Sequence, residues 1–108
     1  NNYKDLLLIK NAVSYNVSIG EKIAKKNALS CIDIYKAFDS EMKSIINEAR
    51  LEDNISGDIV FETKDGKEII FGDSSYTVKK IEILKKILEE EINFTELDIR
   101  SWESPVIR

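Results

Sequence analysis

Asp58-Ile59-Val60-Phe61-Glu62-Thr63-Lys64-Asp65-Gly66-Lys67-Glu68-Ile69-Ile70-Phe71-Gly72 is the stretch whose reading decides the fold. Two runs rich in β-branched and aromatic residues, 58–63 and 67–72, flank Lys64-Asp65-Gly66-Lys67. Such side chains suit a pleated, half-buried surface, and Asp65-Gly66 supplies the positive φ values that a two-residue hairpin turn requires. With that loop, Phe61 lies opposite Ile70 on one side of the ribbon and Val60 opposite Phe71 on the other. Both sides are then apolar, which predicts a central position in a sheet.

Working outward from the hairpin, a helix is expected to start near Ser75 or Thr77. It should carry Val78, Ile81, Leu84, Ile87 and Leu88 inward and leave Lys79, Lys80, Glu82, Lys85 and Lys86 largely to solvent. Residues 95–100 alternate, with Leu97 and Ile99 on one face and Glu96, Asp98 and Arg100 on the other, as in a half-buried strand. Pro105 lacks an N–H donor, so 105–108 is either an edge strand or a tail leaving the sheet. Upstream, Asn27 can cap a helix whose apolar residues, Ala28, Cys31, Ile32, Tyr35, Phe38, Met42, Ile45 and Ile46, form one continuous stripe, with Lys36, Asp39, Glu41 and Lys43 elsewhere. That helix should give way to strand between Ser44 and Arg50. The mixed residues 6–17 suit one or two short extended pieces closed by Ile19-Gly20. No repeat or linker divides the chain, so residues 1–108 read as a single α+β domain: a mostly antiparallel sheet with two main helices packed against it.

Composition narrows the function. At 43% hydrophobic and 33% charged the chain belongs with folded soluble domains, outside the regime of disorder. Its net charge of -4 and its dispersed pairs, Lys25-Lys26, Lys79-Lys80 and Lys85-Lys86, speak against nucleic acid and anionic lipid, which need concentrated positive charge. Cys31 is the sole cysteine and histidine is absent, so the usual zinc and nucleophile–base constellations cannot be assembled. On the stripe of the first helix Cys31 reads as a small buried hydrophobe. The run Glu89-Glu90-Glu91 diverges around a helix end, and Asp33, Asp39 and Glu41 surround no cleft, so no catalytic residue, metal or cofactor is expected. The longest apolar run near the start, residues 6–9, is far short of the ~20 residues of a membrane helix, and no signal peptide is visible. As it stands, the sequence is expected to behave as a soluble fragment.

The order of these pieces carries a resemblance. Ile59-Val60-Phe61-Glu62-Thr63-Lys64-Asp65-Gly66, then Glu68-Ile69-Ile70-Phe71-Gly72, then Lys80-Ile81 with Leu84 and Ile87-Leu88, and last Leu97-Asp98-Ile99-Arg100, is similar to the β domain of the bacterial cell-division family FtsQ/DivIB. Ser18-Ile19-Gly20 fits a glycine that precedes the first helix of that region, whereas residues 6–11 depart from the family's Leu-Pro pair. The resemblance implies a single-pass membrane protein with a short cytoplasmic tail, a transmembrane helix and a POTRA domain, none of which lies in this sequence. The chain is then the C-terminal part of the β domain, outside the cell membrane. It also implies a non-enzymatic scaffold that gathers FtsB/DivIC and FtsL and helps to regulate septal peptidoglycan synthesis, with no small-molecule substrate. An envelope domain that binds another protein or a glycan is the alternative.

The resemblance directs attention to the C-terminal strand. Ending the chain, it is expected to lie uncovered at a sheet edge and to accept a strand of FtsB/DivIC through Glu96, Leu97, Asp98, Ile99, Arg100, Trp102, Val106 and Ile107. Arg100 matches the family arginine that meets a partner carboxylate; the plainer reading is an exposed charge that blunts an edge. On the partner reading Arg100→Glu is expected to weaken the complex by about 2 kcal/mol or more while barely changing the melting temperature. Trp102 either plugs the end of the core or stands out as an interface anchor. A second arginine that some family members place just before the hairpin has no clear counterpart at Ser56-Gly57-Asp58, and Arg50 takes no role from the resemblance.

Overall fold

A computed structural model describes residues 8–11, 28–52 and 58–108. The fold is α+β: the described residues form a mixed sheet of six strands packed on one face by helices. The strands are β1 (Leu8–Asn11), β2 (Ile46–Leu51), β3 (Ile59–Thr63), β4 (Glu68–Gly72), β5 (Glu96–Asp98) and β6 (Val106–Ile107), adjacent in chain order. Helix α1 covers 28–37, α2 is Ser40–Ile45 and α3 is Thr77–Glu89. Pairs β2–β3, β3–β4 and β5–β6 are antiparallel, while β1–β2 and β4–β5 are parallel. A parallel neighbour needs a crossover connection, and α3 is the crossover from β4 to β5.

The hairpin forms where the sequence places it, with β3 and β4 each beginning one residue later, at Ile59 and Glu68, and with a different register. Phe61 lies opposite Ile69, and Val60 opposite Ile70. Thr63 N donates to the Lys67 carbonyl and Gly66 N to the Thr63 carbonyl, so the loop is Lys64-Asp65-Gly66, with Gly66 at φ 86°. A three-residue loop closed by a left-handed glycine displaces the two-residue turn. The Thr63 hydroxyl accepts from Lys67 N at 2.9 Å and stabilises the wider loop. Phe61 and Ile70 consequently lie on opposite faces. Val60 is nonetheless only 2% exposed, so the outer side of the ribbon also buries an apolar residue.

The expected single helix over 28–46 is two. Phe38 N turns back to the Tyr35 carbonyl, and Asp39, in extended conformation, caps α2 by accepting from Met42 N at 2.8 Å. The break lets the Phe38 ring drop onto Phe61, 5.1 Å between centroids, and approach Phe71 at 6.3 Å. The stripe is rephased as well: Ile34 is buried and Ile32 is exposed, contrary to expectation. Helix gives way to strand at Ile46, within the expected window. The core joins Cys31, Ile34 and Phe38 to Met42, Phe61, Ile69, Phe71, Leu84, Leu97 and Ile99. Cys31 is fully buried, which pushes its thiol up to about 12, as suits a small core hydrophobe.

Two residues of α3 exchange their expected places. Val78 is 69% exposed and Lys80 is 1% exposed. The helix starts from Tyr76 in a left-handed conformation, φ 54°, and so its inward stripe runs through Lys80, Leu84 and Ile87. The C-terminal strand is also shorter than 95–100, and it is not an edge: β5 lies between β4 and β6. Residues 105–108 hold the edge strand, the first of the two expected alternatives. The Asn27 cap, the 12–17 segment and Ser18-Ile19-Gly20 lie outside the described residues.

Candidate functional site

Alternation along β5 divides the candidate residues. Leu97 and Ile99 are fully buried and anchor the strand in the core. Glu96 and Asp98 point to the outer face, opposite the core, beside Glu68 and Ile70 of β4. On the same face, Arg50 of β2 lies opposite Val60 of β3. Together Arg50, Asp58, Val60, Glu68, Ile70 and Arg100 line a shallow groove of about 210 Å³.

Arg100 is the hub of this face. Its Nε donates to Asp98 Oδ1 at 3.0 Å, Nη2 to Asp98 Oδ2 at 2.6 Å and Nη1 to Asp58 Oδ2 at 3.0 Å. Its backbone N donates to Asp98 Oδ1 at 3.1 Å. The Asp58 and Asp98 side chains are 8% and 10% exposed, against 50% for Arg100. Hydrogen bonding from Arg100 holds the Asp98 carboxyl below the usual aspartate range, and Asp98 in turn raises Arg100. This differs from a free charge on an exposed strand: Arg100 is committed to two carboxylates of its own chain and presents only its outer half to solvent.

Backbone shape contributes too. Gly72 has φ 84°, and a Cβ there would lie 2.9 Å from Arg100 Cγ, so glycine both makes the turn and admits the arginine stem. Arg50 takes no role from the family resemblance. It pairs with Glu52 at 2.8 Å and Glu68 at 3.2 Å, placing a second arginine on the outer face. Its position was accessible from alternation in β2, but Asp58 was hidden, because nothing in the sequence brings it to a residue 42 positions away.

Beyond β5, Trp102 is half-buried, with its ring 6.3 Å from that of Tyr76 and Lys79 Nζ 5.2 Å over it. Tyr76 is 67% exposed, and Val106 and Ile107 are exposed. Arg108 N donates to the Glu96 carbonyl at 2.9 Å, and its guanidinium pairs with the Glu96 carboxylate. A separate groove of about 340 Å³ lies beside the hairpin turn, floored by Ile45, Leu88 and Phe94, and contains none of these residues. Among the described residues no cluster of three potential ligands is placed to hold a metal ion, and no helix is long and apolar enough to cross a membrane.

The Asp98 pair makes stability depend on acid. A carboxyl depressed in the folded state stabilises it above the unfolded value and loses that contribution as pH falls through the folded one. The melting temperature is therefore expected to fall below about pH 4, near the unperturbed aspartate value. Asp98→Asn should be less stable at neutral pH, with the gap to the parent narrowing steadily as pH falls below the unperturbed aspartate value. A constant gap in melting curves from pH 7 to 2 would refute the assignment. Comparison of the chain with protein-family models finds no match, and comparison with curated proteins finds none.

Proposed function

We propose that this chain is the closing part of an FtsQ/DivIB-like extracytoplasmic β domain, a non-enzymatic scaffold that binds FtsB/DivIC and FtsL at the division septum. The supporting observation is the ordered run of hairpin, Gly72, lysine-bearing α3 and the Leu97-Asp98-Ile99-Arg100 segment that begins in β5, followed by a short edge strand. In this reading the sheet is the family's mostly antiparallel one, and a transmembrane helix and POTRA domain precede it. The partner adds a strand to β6, and Val106, Ile107, Trp102 and the outer side of Arg100 flank it. Leu97 and Ile99 support the edge from beneath rather than touching the partner. Glu96 and Asp98 hold Arg108 and Arg100 in place.

Antiparallel ladders alternate bonded and non-bonded pairs. Arg108 N bonds inward to Glu96, so the neighbouring Ile107 N–H faces the open edge. Ile107→Pro removes that outward donor and keeps the ladder to β5. Titration calorimetry with a soluble FtsB/DivIC segment is expected to show at least a tenfold loss of affinity, about 1.4 kcal/mol, with the melting temperature within ~2 °C of the parent. Unchanged affinity would overturn strand addition, and no binding by the parent chain would overturn the family reading. The alternative, an envelope module for another protein or a glycan, draws on the exposed Tyr76 ring beside Trp102. Quenching of Trp102 by peptidoglycan fragments would favour it.

A further inference from the structure

Lys80 stands where α3 should place an apolar side chain, and a fully buried ammonium group is costly unless something holds it. Its Nζ donates to the Asp73 carbonyl at 3.1 Å and lies 3.5 Å from Asp73 Oδ1 and 5.1 Å from the centre of the Phe71 ring. Asp73 begins the loop between β4 and α3, and its carboxylate also accepts from Ser75 N at 3.0 Å. Left-handed residues bracket that loop, Gly72 at one end and Tyr76 at the other. Gly72 lies under the Arg100 stem, Tyr76 meets Trp102, and Lys79 of the first turn of α3 covers the Trp102 ring.

We propose that Lys80 is an internal staple: by gripping Asp73 from beneath, it fixes the 72–76 loop and thereby positions Arg100 and Trp102 on the surface. The inference goes beyond the division reading and holds whatever the partner is. Burial lowers the Lys80 pKa while Asp73 opposes the shift, and the charge of Asp58 also favours the ammonium form. Asp58 is one of the two carboxylates that bind Arg100, so the staple and the surface arginine share a counter-charge.

Trp102 is the sole tryptophan of the chain and reports on this surface directly. The Asp73 carboxylate that pairs with Lys80 is 67% exposed and stays hydrated without it, so Lys80→Met, which removes the buried charge at similar length, is expected to keep the melting temperature close to the parent's. The loop should nevertheless loosen. Acrylamide quenching of Trp102 is expected to rise at least twofold, and exchange of the Arg100 Nε–H proton, followed by NMR, to accelerate. Leu84→Ala, on the same buried stripe, provides the contrast: it should lower the melting temperature and leave both folded-state signals at parent values. If Lys80→Met does not fold, Lys80→Gln, which retains a donor on a shorter stem, carries the same measurements with a smaller rise. Parent-like quenching and exchange in a folded Lys80 variant would overturn the proposal, as would equal changes in Leu84→Ala. None of these readouts needs a partner, so the outcome is independent of the binding titrations.

Discussion

Arg100→Glu is expected to destabilise the fold by about 4 kcal/mol, reversing the expectation that an exposed strand arginine can be changed freely. Asp58 and Asp98 are almost fully buried, and Arg100 is the cation that the structure sets against both. Removing one partner of a buried pair costs about 3–5 kcal/mol, because the remaining charge stays desolvated. Half of the Arg100 side chain is in water, and screening reduces the loss for Arg100→Ala to about 2–3 kcal/mol. Glutamate adds a third carboxylate to the cluster and restores the larger figure. For a domain of this size the melting temperature should fall by ~15 °C or more. Arg100→Lys retains the charge but not the forked donor set, and should fall between the parent and alanine. Urea unfolding of the three variants at neutral pH is the measurement, and an Arg100→Glu midpoint equal to the parent's would show that the ion cluster does not form. The consequence for binding studies is direct: charge reversal at Arg100 tests folding before it tests partner recognition, and Ile107→Pro is the cleaner probe.

The same residue shows what can and cannot be read from sequence. Alternation correctly put Glu96 and Asp98 on one face of β5, because side-chain period in a strand is fixed by the backbone, and Arg100 returns to Asp98 from just beyond the strand. It could not supply the neighbours. Whether β5 is an edge depends on 105–108 folding back upon it, and whether Arg100 is free depends on Asp58 arriving from the far side of the hairpin. Helical period likewise located α3, yet a left-handed residue at Tyr76 and a buried Lys80 set its phase, and neither follows from hydropathy. The division between α1 and α2 has a local signal, an aspartate able to cap at Asp39, but a continuous apolar stripe masked it. The parallel pairing of β4 with β5 was implicit in a helix lying between them, since such a connection can cross the sheet.

Hairpin register admits the sharpest test, because a slip of one residue moves every side chain to the other face. A two-residue turn makes Phe61 and Ile70 partners on one face, and truncating either should then cost a comparable amount. The three-residue loop instead sets Phe61 among Phe38, Phe71 and Ile69 on the helix side, whereas Ile70 lies half-buried on the outer face between the two arginines. Phe61 is fully buried, with ring centroids 5.1 Å from Phe38 and 5.9 Å from Phe71. Phe61→Ala is therefore expected to cost about 3–5 kcal/mol, combining lost transfer energy with a cavity that three rigid elements cannot close. Ile70→Ala should cost only about 1 kcal/mol, since partial burial leaves less apolar area to lose and the long arginine stems can settle into the space. Gly66→Ala supplies the backbone half of the argument: at φ 86° a Cβ meets no atom within 4 Å, so its penalty of about 1 kcal/mol is purely conformational. Chemical denaturation of the three variants decides between the registers. Equal losses for Phe61→Ala and Ile70→Ala would restore the two-residue turn, while a gap of about 2 kcal/mol or more fixes Phe61 as the centre of the core on which β5 and its arginine rest.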